Sequence, residues 1–206
     1  MKLYYMPGAC SLAPHIALRE AGLEFTLVEV DYRTRQTECG CDYHAVSPKG
    51  YVPALVLEDG EVLTEVPVIL QFVDGQAPNA GLLPASGLRR LRALEWLNFV
   101  ATEIHKSFSP LFRPTTPAAF LKPGRDHLAR RLAVVDRHLS THRYLMADDY
   151  SLADVYLFTV CRWLKDQELT VSDWPALHRH FEAVRARPAV EQSLTREGLT
   201  DLRPGG

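Results

Sequence analysis

The sequence predicts a small α/β domain followed by an all-α domain, and two observations lead to this prediction. Strand-like and helix-like segments alternate over roughly the first seventy residues, whereas every periodic segment beyond residue 88 has helical spacing. Between them, 75–87 contains three glycines and two prolines with little periodicity, as is typical of an interdomain linker. We therefore expect domains at 1–76 and 88–206, joined by a linker at 77–87.

In the first domain the predicted order is strand, helix, strand, strand, strand, helix. Apolar residues of 12–21 share one helical face, and this helix ends at Gly22, a residue type favoured just beyond helix C-termini. Asp59-Gly60 predicts a hairpin turn. The predicted strands are 2–6, 25–30, 52–57 and 62–64, and the second predicted helix is 67–73.

In the second domain, helical periodicity predicts helices over 88–108, over 125–139, from Ser151 onward and over 174–187. Ser151 and Asp154 have the spacing of a capping box, in which Asp154 reaches back to the Ser151 amide. We expect this pair to stabilise the fold rather than to take part in chemistry.

The composition is that of an ordinary globular protein. Of 206 residues, 47% are hydrophobic and 23% charged, and the net charge is −2. No basic block indicates a nucleic-acid partner, and no apolar stretch approaches the roughly 18 residues needed to cross a membrane. The N-terminus leads directly into a strand without a signal-like apolar region. We therefore expect a cytoplasmic protein with no nucleic-acid or membrane partner.

Cys10 lies where the first predicted strand gives way to the first predicted helix, just after the turn Pro7-Gly8. A thiol in this position is close to unsatisfied backbone N–H groups and to the positive end of the helix dipole. That environment favours the thiolate, which is the reactive form. The alternative is that Cys10 is a small buried hydrophobe, which is the commoner role of a cysteine.

The other three cysteines are Cys39, Cys41 and Cys161. Cys39-Gly40-Cys41 places two thiols one residue apart, and His44 is nearby, but no second pair stands at ligand spacing. We favour two incidental surface thiols over an adventitious metal site, so no metal is expected.

The order of elements in the first domain is thioredoxin-like, and Val52-Pro53 is its most informative dipeptide. In that fold a cis proline opens the third strand, and the backbone of the preceding residue is left available to a peptide ligand, as to an added strand. The alternative is a trans proline, which is common at the start of a strand.

Motifs along nearly the whole chain resemble the bacterial glutathione transferases of the beta class. They lie at 7–11, 18–20, 47–55, 63–65, 95–98, 101–106, 110–114 and 151–154. The resemblance implies a thioredoxin-like α/β N-terminal domain followed by an all-α C-terminal domain, which is the glutathione transferase fold. It also implies a homodimer.

The resemblance further implies a glutathione site. Cys10 matches the cysteine beside the glutathione sulfur, Val52-Pro53 the backbone that pairs with the cysteinyl part, and Glu65-Val66 the segment that holds the γ-glutamyl end. Arg35 matches a basic position for the glycyl carboxylate, with Tyr51 as an adjacent candidate. The stretch that lines the cleft from the second domain corresponds to Asn98, Thr102, Glu103, Ile104, His105 and Lys106.

The implied activity is conjugation of the glutathione thiolate to small hydrophobic electrophiles, for example in detoxification, with Cys10 and His105 as catalytic residues. Tyr5 and Ser11 are accessory candidates for holding the thiolate. One alternative is thiol–disulfide exchange or peroxide reduction through a Cys10–glutathione mixed disulfide, and another is a non-catalytic ligand-binding protein. The wall of the expected hydrophobic cleft includes Ile104, Phe108, Phe112 and Trp163.

One position departs from the family pattern. The residue after Glu65 is often small or hydroxylated in the wider family, whereas here it is Val66, followed by Pro67. Valine supplies no side-chain hydrogen bond and proline has no N–H. Losing one hydrogen bond to a charged group costs roughly 1.5–3 kcal/mol, so we expect weakened glutathione binding.

Overall fold

The computed structural model describes residues 1–199, which divide into two compact units. The first unit comprises Met1–Leu82 together with 186–199, and the second comprises Leu83–Arg185. The first boundary lies inside the predicted linker. The segment that follows residue 185, however, belongs to the first unit, whereas we expected it in the helical domain.

The first unit is built on a four-stranded sheet with the order β2-β1-β3-β4. Its strands are β1 (Lys2–Tyr5), β2 (Thr26–Glu29), β3 (Ala54–Val56) and β4 (Val62–Thr64). β1 and β2 are parallel, which requires the crossover helix α1 (Leu12–Glu20), whereas β3 pairs antiparallel with both β1 and β4. The predicted thioredoxin-like order of strands and helices is therefore confirmed.

Burial explains why this sheet and its helices hold together. Leu3 of β1 lies opposite Leu27 and Leu55, and both Leu3 and Leu55 are fully buried. The helices α1 and α2 (Val66–Gln76) pack against each other, each with a buried apolar face. A short 3₁₀ helix at Tyr43–Ala45 precedes β3, and another, Pro78–Ala80, follows α2.

The second unit consists of helices. They are α3 (Gly87–Phe99), a π-helical segment (Val100–His105), α4 (Lys106–Phe112), α5 (Ala118–Leu139), α6 (Leu152–Cys161), two 3₁₀ helices (Arg162–Gln167 and Val171–Asp173) and α7 (Pro175–Arg185). Every residue of α6 is buried, and α6 packs against α3 and α7. Among the described residues, no helix combines the length and apolar character needed to cross a bilayer.

Asp154 joins three segments of the second unit. Its Oδ2 accepts the Ser151 N–H at 2.8 Å, which confirms the reach-back half of the predicted capping box. Its Oδ1 accepts the Leu145 N–H at 2.8 Å and lies 2.8 Å from Nε2 of His180 on α7. Because Asp154 is fully buried, these partners replace the water that its carboxylate loses. Its role is structural, as expected.

Two helix predictions were wrong in their bounds, and one helix was not predicted. The helix expected at 125–139 begins at Ala118, because a helix of 22 residues tolerates the single hydrogen bond that Pro123 removes. The helix expected over 88–108 is interrupted by the π-helical segment. The chain also forms an unpredicted helix, α8 (Pro188–Arg196), which begins with proline at its first position and packs against α1.

Candidate active site

Cys10 lies in the turn between β1 and α1, and backbone and side-chain hydrogen bonds fix this turn. Gly8 has a φ of +74°, in the left-handed region that favours glycine. The Ala9 N–H donates to the Met6 carbonyl at 3.1 Å. The hydroxyl of Ser11, fully buried, lies 3.2 Å from the Met6 N–H, which it accepts, and 3.3 Å from the Met6 carbonyl. The Ser11 hydroxyl therefore stabilises the turn, and its accessory role stays a prediction.

The residue just after α8 anchors the same turn. Oε2 of Glu197 accepts the Gly8 N–H at 3.0 Å, and Oε1 lies 2.8 Å from Nδ1 of His15 on α1. Arg19 Nε donates to the other ring nitrogen of His15 at 3.0 Å, so Nδ1 carries the proton toward Glu197. The side chains of His15 and Glu197 are fully buried. The C-terminal segment thus holds the cysteine-bearing turn on α1.

The surroundings of Cys10 favour the protonated thiol over the thiolate. Its Sγ donates to the Val52 carbonyl at 3.3 Å, and burial raises the pKa of Cys10 to about 12, with a further contribution from the negative charge of Glu65. The backbone N–H groups of Cys10 and Ser11 lower this pKa, as expected for a helix start, but desolvation outweighs them. The backbone N–H groups thus act in the direction that the sequence predicts, whereas the burial of the sulfur, which the sequence does not show, raises the pKa of Cys10.

Tyr5 is the other accessory candidate. It is 2% exposed, and its hydroxyl donates to Glu29 at 3.2 Å. Burial, together with the Glu29 carboxylate, raises the pKa of Tyr5 to about 12. The Tyr5 hydroxyl therefore bonds to β2, and its accessory role stays a prediction.

Val52 presents backbone groups beside Cys10. The Val52-Pro53 peptide bond is cis, so the alternative of a trans bond is excluded. Within residues 1–199 the Val52 N–H has no hydrogen-bond partner, and its carbonyl accepts the Cys10 thiol. Met6, Val30 and Tyr43 pack around Val52 in one buried cluster.

The neighbouring residues Tyr51 and Arg35 are held by Tyr43. The Tyr43 hydroxyl donates to the Tyr51 carbonyl at 2.8 Å, and the Tyr51 side chain is 70% exposed. Arg35 has a φ of +58°, its carbonyl accepts the Tyr43 N–H at 2.9 Å, and its guanidinium lies 4.9 Å from the centre of the Tyr32 ring. Tyr43 thus orients both predicted ligand residues, and sequence reasoning missed it because nothing local marks this role.

Glu65 and Val66 mark the start of α2. Glu65 has a φ of +68°, a strained conformation for a non-glycine residue of the kind found at functional sites. Its exposed carboxylate pairs with Lys49 at 2.8 Å. Among the described residues the Val66 N–H has no partner, and Pro67 has none to offer. A carboxylate and a helix-terminal N–H therefore stand side by side, which suits an amino acid's ammonium and carboxylate groups.

In the second unit, His105 ends the π-helical segment. Such segments occur frequently at functional sites, and this one alters the α-helical spacing on which we expected Asn98, Thr102 and His105 to share a face. His105 Nδ1 lies 2.6 Å from the hydroxyl of Tyr156, a partner that sequence reasoning missed because it is 51 residues away. The His105 ring also packs edge-on against Trp163, with centroids 5.1 Å apart.

The other residues predicted on this stretch differ in exposure. Asn98, Thr102 and Lys106 are exposed, and Glu103 pairs with Arg131 at 3.5 Å. Ile104 is fully buried, so its side chain packs in the core of the second unit. An aromatic cluster follows: Phe108 and Phe112 stack at 5.8 Å, and Trp163 packs edge-on against both.

No group of three or more histidine, cysteine or acidic side chains capable of holding a metal ion occurs within residues 1–199. The chain thus combines a thioredoxin-like unit, in which a cysteine lies beside a cis-proline strand start, with a helical unit. Family models described as Glutathione S-transferase, N-terminal domain and C-terminal domain match residues 8–76 and 99–188.

Relatives agree with these matches. Glutathione S-transferase GstA of Escherichia coli O157:H7 is 44% identical over 97% of this chain and 100% of its own. The chain belongs to the glutathione S-transferase family.

Solved structures show the same fold. The ternary complex of BphK, a bacterial GST, superposes with a TM-score of 0.94 at 49% identity, over 97% of this chain and 100% of that one. A sphingomonad glutathione S-transferase complexed with glutathione gives 0.93 at 43% identity, and the beta-class enzyme of Sphingomonas chungbukensis gives 0.93 at 40%, each with those same coverages. The resemblance to the bacterial beta class, the glutathione transferase fold and the assignment as an enzyme are confirmed.

Proposed function

We propose that this protein binds glutathione on its first unit and conjugates it to small hydrophobic electrophiles. The observation that carries the proposal is the set of groups around Cys10: a neutral thiol, the unpartnered N–H of Val52, and the Glu65-Val66 pair at the start of α2. The thiol can donate a hydrogen bond to a thiolate, and the Val52 backbone can pair with a peptide. The Glu65-Val66 pair can bind the ammonium and carboxylate groups of an α-amino acid.

Glutathione would bind as an added strand along Val52. The N–H of its cysteinyl residue would donate a hydrogen bond to the Val52 carbonyl, and the carbonyl of that residue would accept one from the Val52 N–H. The γ-glutamyl carboxylate would bind the Val66 N–H at the positive end of α2, while Glu65 would exchange Lys49 for the ligand ammonium. Arg35 is the proposed partner of the glycyl carboxylate.

Cys10 would act as a hydrogen-bond donor. Once the ligand occupies the Val52 carbonyl, the Cys10 S–H that now donates there is free to donate to the glutathione sulfur. A hydrogen bond to the charged form of an acid lowers its pKa, so the bound thiol would ionise more readily than free glutathione. Cys10 keeps its proton throughout and holds the nucleophile in place.

The chemical step is then a displacement or an addition. The glutathione thiolate donates its electron pair to an electrophilic carbon and forms a C–S bond, and in a displacement the leaving group departs with the electrons of its former bond. The aromatic cluster of Phe108, Phe112 and Trp163 is the proposed surface for the electrophile. His105, held by Tyr156, is proposed to orient or protonate polar groups during reaction.

The state of Cys10 favours conjugation over the redox alternative. Mixed-disulfide chemistry needs a Cys10 thiolate, and the burial that raises the pKa of Cys10 disfavours that form. A neutral thiol is, by contrast, what a donor to the glutathione sulfur requires. Homodimeric assembly, a cytoplasmic location and a role in detoxification complete the proposal, by analogy with the family.

The test is conjugation of glutathione to 1-chloro-2,4-dinitrobenzene by the wild type, Cys10→Ala and Cys10→Ser. We expect turnover by the wild type, a large loss in the alanine variant, and partial recovery with serine, whose hydroxyl also donates. Equal rates in all three would remove Cys10 from the conjugation mechanism. No turnover by any of them, together with no retention on immobilised glutathione, would refute the proposed function.

A further inference from the structure

A tight hairpin in the first unit brings Cys39 and Cys41 together. Gln36 and Asp42 form a bridge that closes it, and inside that bridge the Thr37 N–H donates to the Cys41 carbonyl at 2.9 Å. The Gly40 N–H donates to the Thr37 carbonyl at 2.8 Å. Gly40 has a φ of +76°, so this turn needs glycine between the two cysteines.

The hairpin places the two sulfur atoms in direct contact. Sγ of Cys39 lies 2.7 Å from Sγ of Cys41, closer than unbonded sulfur atoms normally approach, and both residues are exposed. The Thr37 hydroxyl, 3.1 Å from Cys39 Sγ, holds the first sulfur in place. By contrast, Cys161 is 3% exposed. This dithiol is therefore both preassembled and accessible.

The two thiols differ in acidity. The pKa of Cys39 falls to about 7, because the Cys41 thiol donates a hydrogen bond to its thiolate and the Thr37 hydroxyl and the Cys41 N–H add to the effect. The pKa of Cys41 is raised by the same pairing. At neutral pH Cys39 is therefore ionised in part, and Cys41 is the thiol that keeps its proton more strongly. A thiol whose pKa is close to the ambient pH is the most effective attacker of a disulfide.

We propose that Cys39 and Cys41 form a thiol–disulfide exchange site whose substrates are low-molecular-weight disulfides such as glutathione disulfide. The Cys39 thiolate attacks one sulfur of the substrate, the S–S bond breaks, and one thiolate leaves. Cys41 then loses its proton and attacks Cys39, which forms the intramolecular disulfide and releases the second thiolate. The protein dithiol is oxidised by two electrons, and the substrate disulfide is reduced to two thiols.

This site does not depend on the proposed conjugation. It uses neither Cys10 nor any residue assigned to glutathione binding, and its oxidant is the substrate disulfide itself. Excess glutathione would reverse both steps and regenerate the dithiol, so the site would equilibrate with the thiol–disulfide couple around it.

The test exposes the fully reduced, full-length protein to glutathione disulfide at neutral pH, quenches free thiols with N-ethylmaleimide, and maps each cysteine by mass spectrometry. In the wild type we expect the peptide with Cys39 and Cys41 to lose two hydrogens and to escape alkylation. Cys41→Ser should retain one glutathione on Cys39 as a stable mixed disulfide. In Cys39→Ser, the remaining Cys41 should react about tenfold more slowly, because its thiol is largely protonated.

Circular dichroism of each variant confirms that it is folded. Because the two cysteines are exposed, serine at either position should preserve the fold. If both cysteines of the wild type remain alkylated after treatment with glutathione disulfide, the proposal is wrong. Equal rates of glutathione uptake by Cys39→Ser and Cys41→Ser would also overturn it, since the assignment of Cys39 as the attacking thiol would then fail.

Discussion

Glu197→Ala tests whether the C-terminal segment holds the cysteine-bearing turn. The Glu197 carboxylate is fully buried and accepts two hydrogen bonds, from the Gly8 N–H at 3.0 Å and from His15 at 2.8 Å. Alanine removes both acceptors and leaves Nδ1 of the fully buried His15 ring without the carboxylate that accepts its proton. It also leaves a small void between α8 and α1.

The magnitude follows from those lost contacts. Removing the partner of a buried donor costs about 1–3 kcal/mol, and the upper end applies where the lost acceptor is charged. We therefore expect the free energy of unfolding of the first unit to fall by about 3 kcal/mol. The matched control is Glu191→Ala on α8, where an exposed carboxylate near the helix start contributes at most about 1 kcal/mol.

The assay must distinguish the two units. Trp96, Trp163 and Trp174 are the only tryptophans of the chain, and all three lie in the second unit, so tryptophan fluorescence reports that unit. Amide hydrogen exchange in β1 and α1 reports the first. We expect exchange there to accelerate by two orders of magnitude or more in Glu197→Ala and to change little in Glu191→Ala. Equal effects of the two variants would refute the anchoring role of Glu197.

Three further predictions concern the candidate site. The pKa of Cys10 is about 12 in the folded protein and near 9.0 in the unfolded chain, so its contribution to the free energy of unfolding falls as pH rises between these values. Urea titrations across this range should show a decrease in the free energy of unfolding with pH that Cys10→Ala removes. The same decrease in the variant would contradict the assigned burial of Cys10. Glu65→Gln should raise KM for glutathione about ten- to a hundredfold with a smaller change in kcat, since it removes a charged partner of the ligand ammonium. The control Lys49→Met should not raise KM. Steady-state kinetics in which Lys49→Met raises KM more than Glu65→Gln does would oppose this assignment. Tyr156→Phe removes the hydroxyl that lies 2.6 Å from Nδ1 of His105, and it should shift the pH profile of kcat without changing the fold. A pH profile identical to that of the wild type would show that this contact has no catalytic consequence.

The sequence predicted the first unit well because its signals are local. The turn before α1, the Asp59-Gly60 hairpin and the proline that opens β3 are each set by residues next to one another in the chain. α8 was missed because its helical signal is short and its partner, α1, lies far away in the sequence. The helix expected to begin at residue 125 begins at Ala118, because the long helix around Pro123 absorbs the lost hydrogen bond.

The sequence predicted which residues belong to the candidate site better than it predicted how buried their side chains are. Position in a motif identified Cys10, Ser11 and Ile104, but only tertiary packing decides whether a side chain is buried. Ser11 and Ile104 turned out to be fully buried, and burial raises the pKa of Cys10. The contact between His105 and Tyr156 joins elements 51 residues apart, which no local pattern encodes.

The central claim is that the neutral Cys10 thiol donates a hydrogen bond to the glutathione thiolate. The most direct measurement is the pKa of the bound glutathione thiol, followed by the ultraviolet absorbance of its thiolate in the wild type and in Cys10→Ala at saturating glutathione. A hydrogen bond to a charged group contributes about 1.5–3 kcal/mol, which corresponds to about one to two pKa units. We expect the bound thiol to be more acidic than free glutathione in the wild type and to lose that advantage in Cys10→Ala. The same pKa in both proteins would contradict the claim.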